Sequence, residues 1–282
     1  MNTYPKLAAR LHMKVFTDDV SDFFLNAVRQ TVDYRVKSNV KRNDFMDMLI
    51  EMKAQDEEKA RSGQGIDLSH GLTLEQLAAQ AFFFFIAGFD TSSTTMALCL
   101  YELALNPEIQ QRLRVEIEKT ISEQGGKLSY ECVNEMSYLE QVIAETMRKY
   151  SIVAHIIRKT TVDYIVPQTQ QVIESGTIII VPTHSLHHDP ELFPEPYKFD
   201  PERFTPEAMQ QRHSCAFLPF GTGPRNCIGL RFAKMEAKIA IITLLQTFKL
   251  SKCSQTEDPL SFTKRNFFLE PIRGIYLQVD KI

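Results

Sequence analysis

The sequence predicts a mainly α-helical protein with a small β region. Apolar residues recur at helical spacing over most of the chain before Tyr150 and again after a glycine-rich loop that ends at Gly229. Between these regions, Val162–Val166 and Gly176–Pro182 are rich in β-branched residues and flanked by turn residues, which is typical of short strands. The 282 residues can bury one large core, so we expect a single domain over residues 1–282.

Composition and charge exclude several classes of protein. With 44% hydrophobic and 24% charged residues, the chain is typical of a folded globular protein. Its net charge of −3 indicates no nucleic-acid partner. The five cysteines are far apart and lack the spacing of a metal site, which favours reduced thiols in a cytosol-facing environment. No stretch has the roughly 18 uninterrupted apolar residues that a membrane span needs, and the first residues lack the apolar core of a signal peptide.

The N-terminal part of the chain predicts three helices and a loop. Apolar spacing indicates helices at Lys6–Lys14 and Asp18–Val36, and Asn43-Asp44 can cap a third helix. The segment Glu51–Gly71 is charged and has no apolar period, so we expect an exposed loop there.

Capping signals indicate three more helices. Thr73 and Gln76 form a capping box that opens the longest apolar helix. Pro107 begins the next helix, which ends before Gly125, and Ser137 can cap the helix after that.

The centre of the longest apolar helix combines four phenylalanines with small and polar residues. The run Phe82–Phe85 predicts a helix buried on all sides. Asp90 does not fit that environment, because a buried carboxylate is costly unless it is paired or serves a function. Gly88 removes bulk beside the backbone, and the Thr91 hydroxyl can bond back to a carbonyl one turn earlier. The alternatives are a plain core helix and a site that uses Asp90 and Thr91.

The stretch Phe217–Gly229 contains three glycines and two prolines, which exclude a helix or a central strand and predict a shaped loop. The apolar residues that follow predict one face of an amphipathic helix: Ile228, Phe232, Met235, Ile239 and Ile242. Cys227 therefore lies where a loop enters a helix, and the helix dipole there favours a thiolate over a thiol. Arg225 adds a cation beside it or binds an anionic group of a cofactor. A buried structural cysteine is the alternative.

This loop resembles the F-x-x-G-x-R-x-C-x-G motif of the cytochrome P-450 family of haem-thiolate monooxygenases. The resemblance implies haem b (iron protoporphyrin IX) as the cofactor and Cys227 as the axial ligand of its iron. It assigns the remaining motif positions to haem binding: Phe220, Gly223, Arg225 and Gly229. Arg158 matches a second arginine that binds a haem propionate, although a surface arginine beside Lys159 is the alternative.

Other segments resemble the family in the same order along the chain. Ala87–Thr91 is similar to the oxygen-activating helix, which implies that Asp90 and Thr91 are catalytic and supply protons. Glu145, Arg148 and Arg203 match a buried structural network. The family's substrate pocket would be lined by Phe82, Phe85, Ala87, Ile152, Val153, His155, Phe267 and Phe268. His184, His187 and His188 have metal-ligand spacing, but they lie in a family segment where histidines are structural.

The resemblance covers only the C-terminal part of the family's pattern, and the chain contains no Trp, whereas family members carry one on an early helix. We therefore expect a partial cytochrome P-450 catalytic domain that lacks the N-terminal anchor and the early helices. The amino-acid sequences of Asp90–Met96 and Tyr101–Pro107 are most similar to those of the family's insect microsomal detoxification branch.

The implied reaction inserts one oxygen atom of O2 into an apolar small molecule, with electrons from an NADPH-dependent flavoprotein reductase. The full-length protein would lie on the cytosolic face of the endoplasmic reticulum membrane. Arg231, Lys234 and Lys238 share one helix face and are expected to dock the reductase, unless they form an ordinary solvated face. Two other functions remain open: an isomerase or dehydratase of the same fold, and a non-catalytic fragment that cannot hold haem.

Overall fold

A computed structural model of the chain describes residues 10–11, 13–14, 16–62, 71–263 and 268–282. The chain divides into two compact units, Met1–Ala87 and Gly88–Ile282. Helices dominate both units, and the strands form three small two-stranded sheets in the second unit, so the predicted fold class is confirmed. The single domain over residues 1–282 stays a prediction.

In the first unit, helix α1 (Asp18–Ser38) is followed by helix α2 (Phe45–Arg61). The buried Arg35 guanidinium holds the turn between them: its Nη2 lies 2.7 Å from Asp44 Oδ2 and its Nη1 lies 2.6 Å from Asp47 Oδ1. Asp44 also accepts the Asp47 N–H at 3.1 Å and so caps α2, as the sequence predicts. Four buried residues form the core of this unit: Val28, Leu49, Leu77 and Ala78.

Helix α2 extends further than the sequence predicted. The expected loop at Glu51–Gly71 is wrong for its first part, because the helix continues through Arg61. Lys53 pairs with Glu57 one helical turn later, and such pairs stabilise a helix that lacks an apolar period. Residues 63–70 lie outside the described residues, as does most of the helix expected at Lys6–Lys14.

Helix α3 (Leu74–Leu105) is the longest helix of the described chain. Its capping box is confirmed, because the Thr73 N–H donates to Gln76 Oε1 at 2.9 Å and the Gln76 N–H donates to Thr73 Oγ1 at 3.2 Å. The prediction of burial on all sides is wrong, since Phe83 and Phe85 are 62% and 59% exposed. Among the helices that the structure describes, α3 alone is long and apolar enough to cross a membrane. That test rests on length and composition, and core helices of soluble proteins also pass it.

The second unit is built on three long helices and the second half of α3. The three long helices are α4 (Pro107–Glu123), α6 (Ser137–Lys149) and α9 (Leu230–Leu245). The unit also contains the short helices α5 (Tyr130–Glu135), α7 (Thr183–His187) and α8 (Pro206–Gln210). Pro107 at the start of α4 and the glycine pair beyond its end are confirmed. Core residues with no exposed surface come from several of these helices: Leu103, Leu113, Ile117, Leu139, Val142, Ile241 and Leu245.

The expected cap of α6 is wrong. The Ser137 side chain does not accept a hydrogen bond from the first turn of the helix. The carboxylate of Glu116 on α4 caps α6 instead, because it accepts the N–H groups of Tyr138 and Leu139 at 2.8 and 2.9 Å. A side chain from a neighbouring helix therefore satisfies donors that a local residue was expected to satisfy.

The small sheets pair differently from the sequence expectation. Strand β1 (Ile156–Lys159) is antiparallel to β4 (Ile178–Val181), and β2 (Tyr164–Ile165) is antiparallel to β3 (Val172–Ile173). The two predicted strand regions are therefore confirmed as strands, but each pairs with a segment that was not predicted as one. Ile157 faces Ile180 and Arg158 faces Ile179 across the first sheet.

The segments Phe267–Pro271 and Ile275–Val279 predict a terminal hairpin, and the C-terminal strand does not form it. Strand β6 (Gln278–Lys281) pairs with β5 (Phe248–Ser251), which follows α9. Phe268 forms an isolated bridge with Val153 rather than with the last strand. The final strand thus pairs with the strand that follows α9. The segment that contains Phe268 contacts the chain just before β1.

The buried face of α9 also differs from the predicted one. Ile228, Phe232 and Ile239 of the predicted apolar stripe are 83%, 67% and 42% exposed. Ile242 of the predicted stripe is buried, but the other side chains that α9 buries lie outside that stripe: Ala237, Lys238, Ile241 and Leu245. The second half of α9 is apolar almost all round, so the apolar period alone could not decide which stripe packs inward.

Candidate functional site

The Cys227 loop, defined here as residues 217–229, is held by its backbone. Gly221 and Gly223 adopt φ values of 70° and 78°, which side-chain-bearing residues rarely reach. A single 3₁₀ turn covers Gly223–Arg225, and the Cys227 N–H then donates to the Phe220 carbonyl at 2.9 Å. The aromatic ring of Phe220 is half-buried against the core of the second unit. The loop is therefore anchored at Phe220 and closed at Cys227.

The Cys227 thiol is exposed at the entrance to α9. Gly229 is the residue before the helix, and a Cβ built on it would lie 3.9 Å from Cys227 Sγ. A Cβ on Gly223 would meet no described atom within 4 Å. The two glycines thus leave open space beside the sulfur and beside the turn that presents it.

Two arginines meet at this loop. Arg158 on β1 donates through Nη2 to the Arg225 carbonyl at 3.1 Å, which joins residues 67 positions apart in the chain. A Cβ on Gly221 would lie 3.8 Å from the same Nη2, so the guanidinium lies directly against the loop. Over the residues that the structure describes, neither Arg158 nor Arg225 forms an ion pair with a carboxylate. Both guanidinium groups can therefore receive an anionic group from outside the chain.

This donor set fits a haem. An exposed thiol that precedes a helix can be the axial ligand of an iron ion. Two guanidinium groups without a carboxylate partner suit the propionate groups of the porphyrin. Cys227 would hold the iron, and Arg158 and Arg225 would hold the propionates.

The predicted catalytic residues lie on the outward-facing part of α3. Asp90 is exposed, so the expectation of a buried carboxylate is wrong. The cost of burying a carboxylate therefore does not indicate a function for Asp90. Thr91 is half-buried. A Cβ on Gly88 would meet no described atom within 4 Å, which leaves open space one turn before Thr91. Ser93 and Thr95 bond back to carbonyls of the preceding turn, and α3 stays a continuous α-helix through this region.

The structure brings together three of the predicted pocket residues. Val153 and Phe268 form a β-bridge, and the Leu269 N–H donates to the Ile152 carbonyl at 3.0 Å. His155, between this bridge and β1, is exposed. The members Phe82, Phe85 and Ala87 belong to the first unit, where the Phe82 and Phe85 rings lie 4.5 and 5.4 Å from that of Phe24. Phe267 lies outside the described residues.

Glu145, Arg148 and Arg203 meet in the core of the second unit. Glu145 and Arg148 have no exposed surface, and their side chains form a two-point pair with N–O distances of 2.6 and 2.8 Å. Arg203 Nε lies 3.4 Å from Glu145 Oε1 without forming a hydrogen bond. Burial raises the pKa of the Glu145 carboxyl, and the Arg148 guanidinium opposes that shift. The backbone N–H of Asp200 also donates to Glu145, at 2.9 Å.

The basic face expected to dock a reductase is only partly available. Lys234 and Lys238 both pair with Glu140, at 2.5 and 2.9 Å, and the Lys238 side chain is 6% exposed. The prediction that all three cations are free for a partner is therefore wrong for Lys234 and Lys238, and Lys238 is also buried. Burial works to raise the pKa of Glu140, but hydrogen bonds from Lys234 and Lys238 outweigh it and lower that pKa. Arg231 stays exposed at the edge of an open groove of about 700 Å³ that all four side chains line.

Comparison with known proteins gives one consistent result. The model of the family "Cytochrome P450" matches residues 2–279 of this chain. The chain is 55% identical to "Probable cytochrome P450 6a14" of Drosophila melanogaster over 281 residues, which are 99% of this chain and 55% of the relative. It is 48% identical to "Cytochrome P450 6a8" and 47% identical to "Cytochrome P450 6a2" of the same organism, again over 55% of each relative. The chain thus spans about half the length of the curated relatives it matches.

Proposed function

The chain belongs to the cytochrome P450 family, and we propose that it is the haem-binding part of a monooxygenase in which Cys227 is the axial ligand of haem b. One observation carries this proposal: the exposed Cys227 thiol precedes α9 in a loop against which Arg158 lies, with neither Arg158 nor Arg225 in an ion pair among the described residues. When bound, the haem supplies an iron whose thiolate ligand favours cleavage of the O–O bond.

The side chains of the Cys227 loop bind and orient the cofactor. Arg158 and Arg225 neutralise its propionates, and the hydrogen bond from Arg158 to the Arg225 carbonyl holds the Arg158 guanidinium against the loop. Phe220 anchors the loop in the core and accepts the Cys227 N–H through its carbonyl, while Gly229 keeps bulk away from the sulfur and Gly223 permits the turn that presents it. The roles of the loop residues are supported by their positions in the loop and by the family motif, and the role of Arg158 is supported by its contact with the Arg225 carbonyl.

Asp90 and Thr91 supply protons for oxygen activation. The exposed Asp90 carboxylate can exchange protons with water directly. The Thr91 hydroxyl, at the next position of the same helix, can donate a hydrogen bond on the half-buried side. Together they allow a proton to pass from solvent to the half-buried face of α3.

The substrate is an apolar small molecule, either a xenobiotic or a lipid-like compound. Apolar side chains at Ile152, Val153 and Phe268 support this class, because they come together beside β1, the strand that carries Arg158. His155, which lies between the Val153–Phe268 bridge and β1, belongs to the same proposed set.

The electrons come from NADPH through a flavoprotein reductase, which docks at the groove that carries Arg231 and Lys234. The longer protein that the relatives represent would lie on the cytosolic face of the endoplasmic reticulum membrane, held by an N-terminal anchor. The support for this partner and this location is the similarity to the cytochrome P450 6a proteins over the whole of this chain.

The test is the origin of the oxygen atom in the product. The haem-loaded chain is incubated with a flavoprotein reductase, NADPH, dodecanoic acid as probe and oxygen gas enriched in a heavy isotope. A monooxygenase yields hydroxylated probe that carries one heavy oxygen atom per molecule. Product with oxygen from water would contradict the reaction type, and haem-loaded chain that gives no product with any apolar probe would favour the non-catalytic alternative.

A further inference from the structure

His187 lies in the core of the second unit, between the buried ion pair and the Cys227 loop. It is the last residue of α7 and has no exposed surface. Its backbone carbonyl accepts a hydrogen bond from Arg148 Nη1 at 2.9 Å. Its ring packs against the ring of Phe217, the first residue of the loop, with 5.2 Å between the centroids.

Both ring nitrogens of His187 have defined partners. Nε2 lies 2.9 Å from the backbone N of Leu218, and Nδ1 lies 2.9 Å from Ser151 Oγ. A backbone N–H can only donate, so Nε2 accepts and the proton of the neutral ring lies on Nδ1, facing Ser151. Burial and the nearby Arg148 charge lower the pKa of His187 to about 3, which keeps the ring neutral.

This arrangement does not suit acid–base or nucleophilic catalysis. The lone pair of Nε2 is occupied by Leu218, so it cannot accept a proton from a substrate. Ser151 is 4% exposed and His187 is fully buried, so the serine oxygen cannot reach a ligand. The two residues therefore act on the protein backbone and not on a substrate.

The hydrogen bond to Leu218 connects the core to the cysteine through the loop backbone. Leu218 is buried, and its carbonyl accepts the Gly221 N–H at 3.2 Å. Two residues further on, the Phe220 carbonyl accepts the Cys227 N–H at 2.9 Å. Without His187 the buried Leu218 N–H would have no acceptor at that point, and the loop would be free to shift at its first anchored residue.

We propose that His187 is a positioning residue that fixes the entry of the Cys227 loop to the buried Glu145–Arg148 pair and thereby sets the position of the Cys227 thiol. That this thiol binds haem iron rests on the proposed function. The link from Arg148 through His187 to Leu218 is a property of the protein chain alone.

Three substitutions separate a positioning role of His187 from simple filling of the core. His187→Phe keeps an aromatic ring beside Phe193 and Phe217 but removes both ring hydrogen bonds. His187→Gln loses the ring but can place its amide oxygen near the Nε2 position, where it can accept the Leu218 N–H. Ser151→Ala removes the acceptor of the Nδ1 proton while leaving the His187 ring in place.

The measurement is hydrogen exchange of single backbone amides in the 282-residue chain without haem. In His187→Phe, the amides of Leu218 and Cys227 should exchange on the order of tenfold faster, the effect of losing about one buried hydrogen bond. His187→Gln should recover most of that protection, and Ser151→Ala should lie between the two. The matched control is the amide of Leu250, which donates to the Gln110 side chain at 3.0 Å in the same unit and should not change.

Three results would overturn the proposal. Faster exchange at Leu218 with an unchanged Cys227 amide would make the contact local to one residue. Equal acceleration at Leu218, Cys227 and Leu250 would make His187 a general contributor to stability. A His187→Gln variant no better protected than His187→Phe would show that the acceptor at Nε2 is not what holds the loop.

A second readout uses haem-loaded protein. His187→Phe should convert part of the red-shifted Soret band of the ferrous–carbon monoxide complex to the unshifted form, and His187→Gln should restore it. A full red-shifted band in His187→Phe would contradict the positioning role at the thiol. If no variant, including the unchanged chain, gives a red-shifted band, the haem-thiolate function fails, while the amide exchange still decides whether His187 holds the loop.

Discussion

At the scale of single residues, the site depends on contacts between side chains that are far apart in sequence. Arg158 reaches the Cys227 loop from β1 by donating to the Arg225 carbonyl. His187 reaches the same loop from α7 by accepting the Leu218 N–H. The loop that presents the exposed Cys227 thiol is therefore held by side chains from two other elements, β1 and α7.

The residue-scale prediction concerns Thr91. Thr91→Ala removes the hydroxyl that is proposed to pass protons, so NADPH consumption should persist while hydrogen peroxide replaces the oxygenated product. A group lost from proton transfer typically lowers the step it serves by about 10²–10⁴-fold. The measurement is the ratio of product to NADPH consumed, with peroxide measured in the same sample.

Thr95→Ala is the matched control for Thr91→Ala. Thr95 is a second threonine one turn later on the same helix, and its hydroxyl donates to the Thr91 carbonyl at 2.8 Å. This variant should keep the original ratio of product to NADPH. Equal ratios for Thr91→Ala and the unchanged chain would remove Thr91 from oxygen activation.

The sequence predicted the Cys227 loop well but not the residues that hold it. The loop motif is contiguous, and its glycine and proline residues determine the backbone directly. Thirteen consecutive residues are therefore enough to predict the loop. His187 and Glu140 act through partners at Leu218, Lys234 and Lys238, which no local pattern connects to them. Asp90 was expected to be buried because its neighbours are apolar, yet that part of α3 is exposed.

At the scale of elements, α6 and α9 show how neighbouring helices decide local structure. The N-terminus of α6 is capped by Glu116 from α4. The inward face of α9 includes Lys238, which is held by Glu140 of α6. In both cases a carboxylate on one helix pairs with polar groups on another helix. In α6 this contact replaces the predicted local cap, and in α9 it allows a lysine to lie on the buried face.

The first element-scale prediction compares two capping candidates for α6. Glu116→Ala leaves the N–H groups of Tyr138 and Leu139 without their acceptor and should lower the free energy of unfolding by about 1–2 kcal/mol. Ser137→Ala should change it by less than about 0.5 kcal/mol, because the serine side chain does not cap the helix. Urea unfolding of both variants measures the difference. A larger loss for Ser137→Ala than for Glu116→Ala would contradict the assignment of the cap.

The second element-scale prediction separates docking from stability on α9. Lys238→Glu places a second carboxylate in a buried position beside Glu140, so it should lower the free energy of unfolding by about 3–5 kcal/mol. Arg231→Glu changes an exposed residue that has no ion-pair partner among the described residues, so stability should stay the same. It should instead slow electron transfer from the reductase at low salt, because charge complementarity mainly affects association rates.

The control for α9 is peroxide-driven turnover, which does not need the reductase. Arg231→Glu should leave it unchanged, whereas Lys238→Glu should reduce it together with reductase-driven turnover. Unchanged reductase-driven rates in Arg231→Glu at low salt would make this helix face an ordinary solvated surface.

The element pattern also shows which parts of the fold the sequence determines locally. Capping boxes, Pro107 and the β-branched stretches correctly indicated where α3, α4, β2 and β4 lie. Pairing partners were not predicted, since β1, β3 and β5 have at most four residues each, and β1 and β5 join partners that are distant in the sequence. Helix α2 is longer than predicted because charge pairs such as Lys53–Glu57 stabilise a helix that has no apolar stripe.

At the scale of the whole molecule, the chain forms two compact units, and the haem-binding residues proposed here belong to the second one, Gly88–Ile282. It spans about half the length of its curated relatives, so the central claim is limited to this chain. That claim is that Cys227, presented by its loop at the entrance to α9, binds the haem iron as a thiolate.

The most direct test of that claim is the carbon monoxide difference spectrum of the reduced, haem-loaded 282-residue chain. The unchanged chain and Cys215→Ser, a control at another exposed cysteine, should both show the red-shifted Soret band of a thiolate-ligated haem. Cys227→Ser should bind carbon monoxide without that band. An identical band in Cys227→Ser, or no red-shifted band in the unchanged chain, would contradict the account.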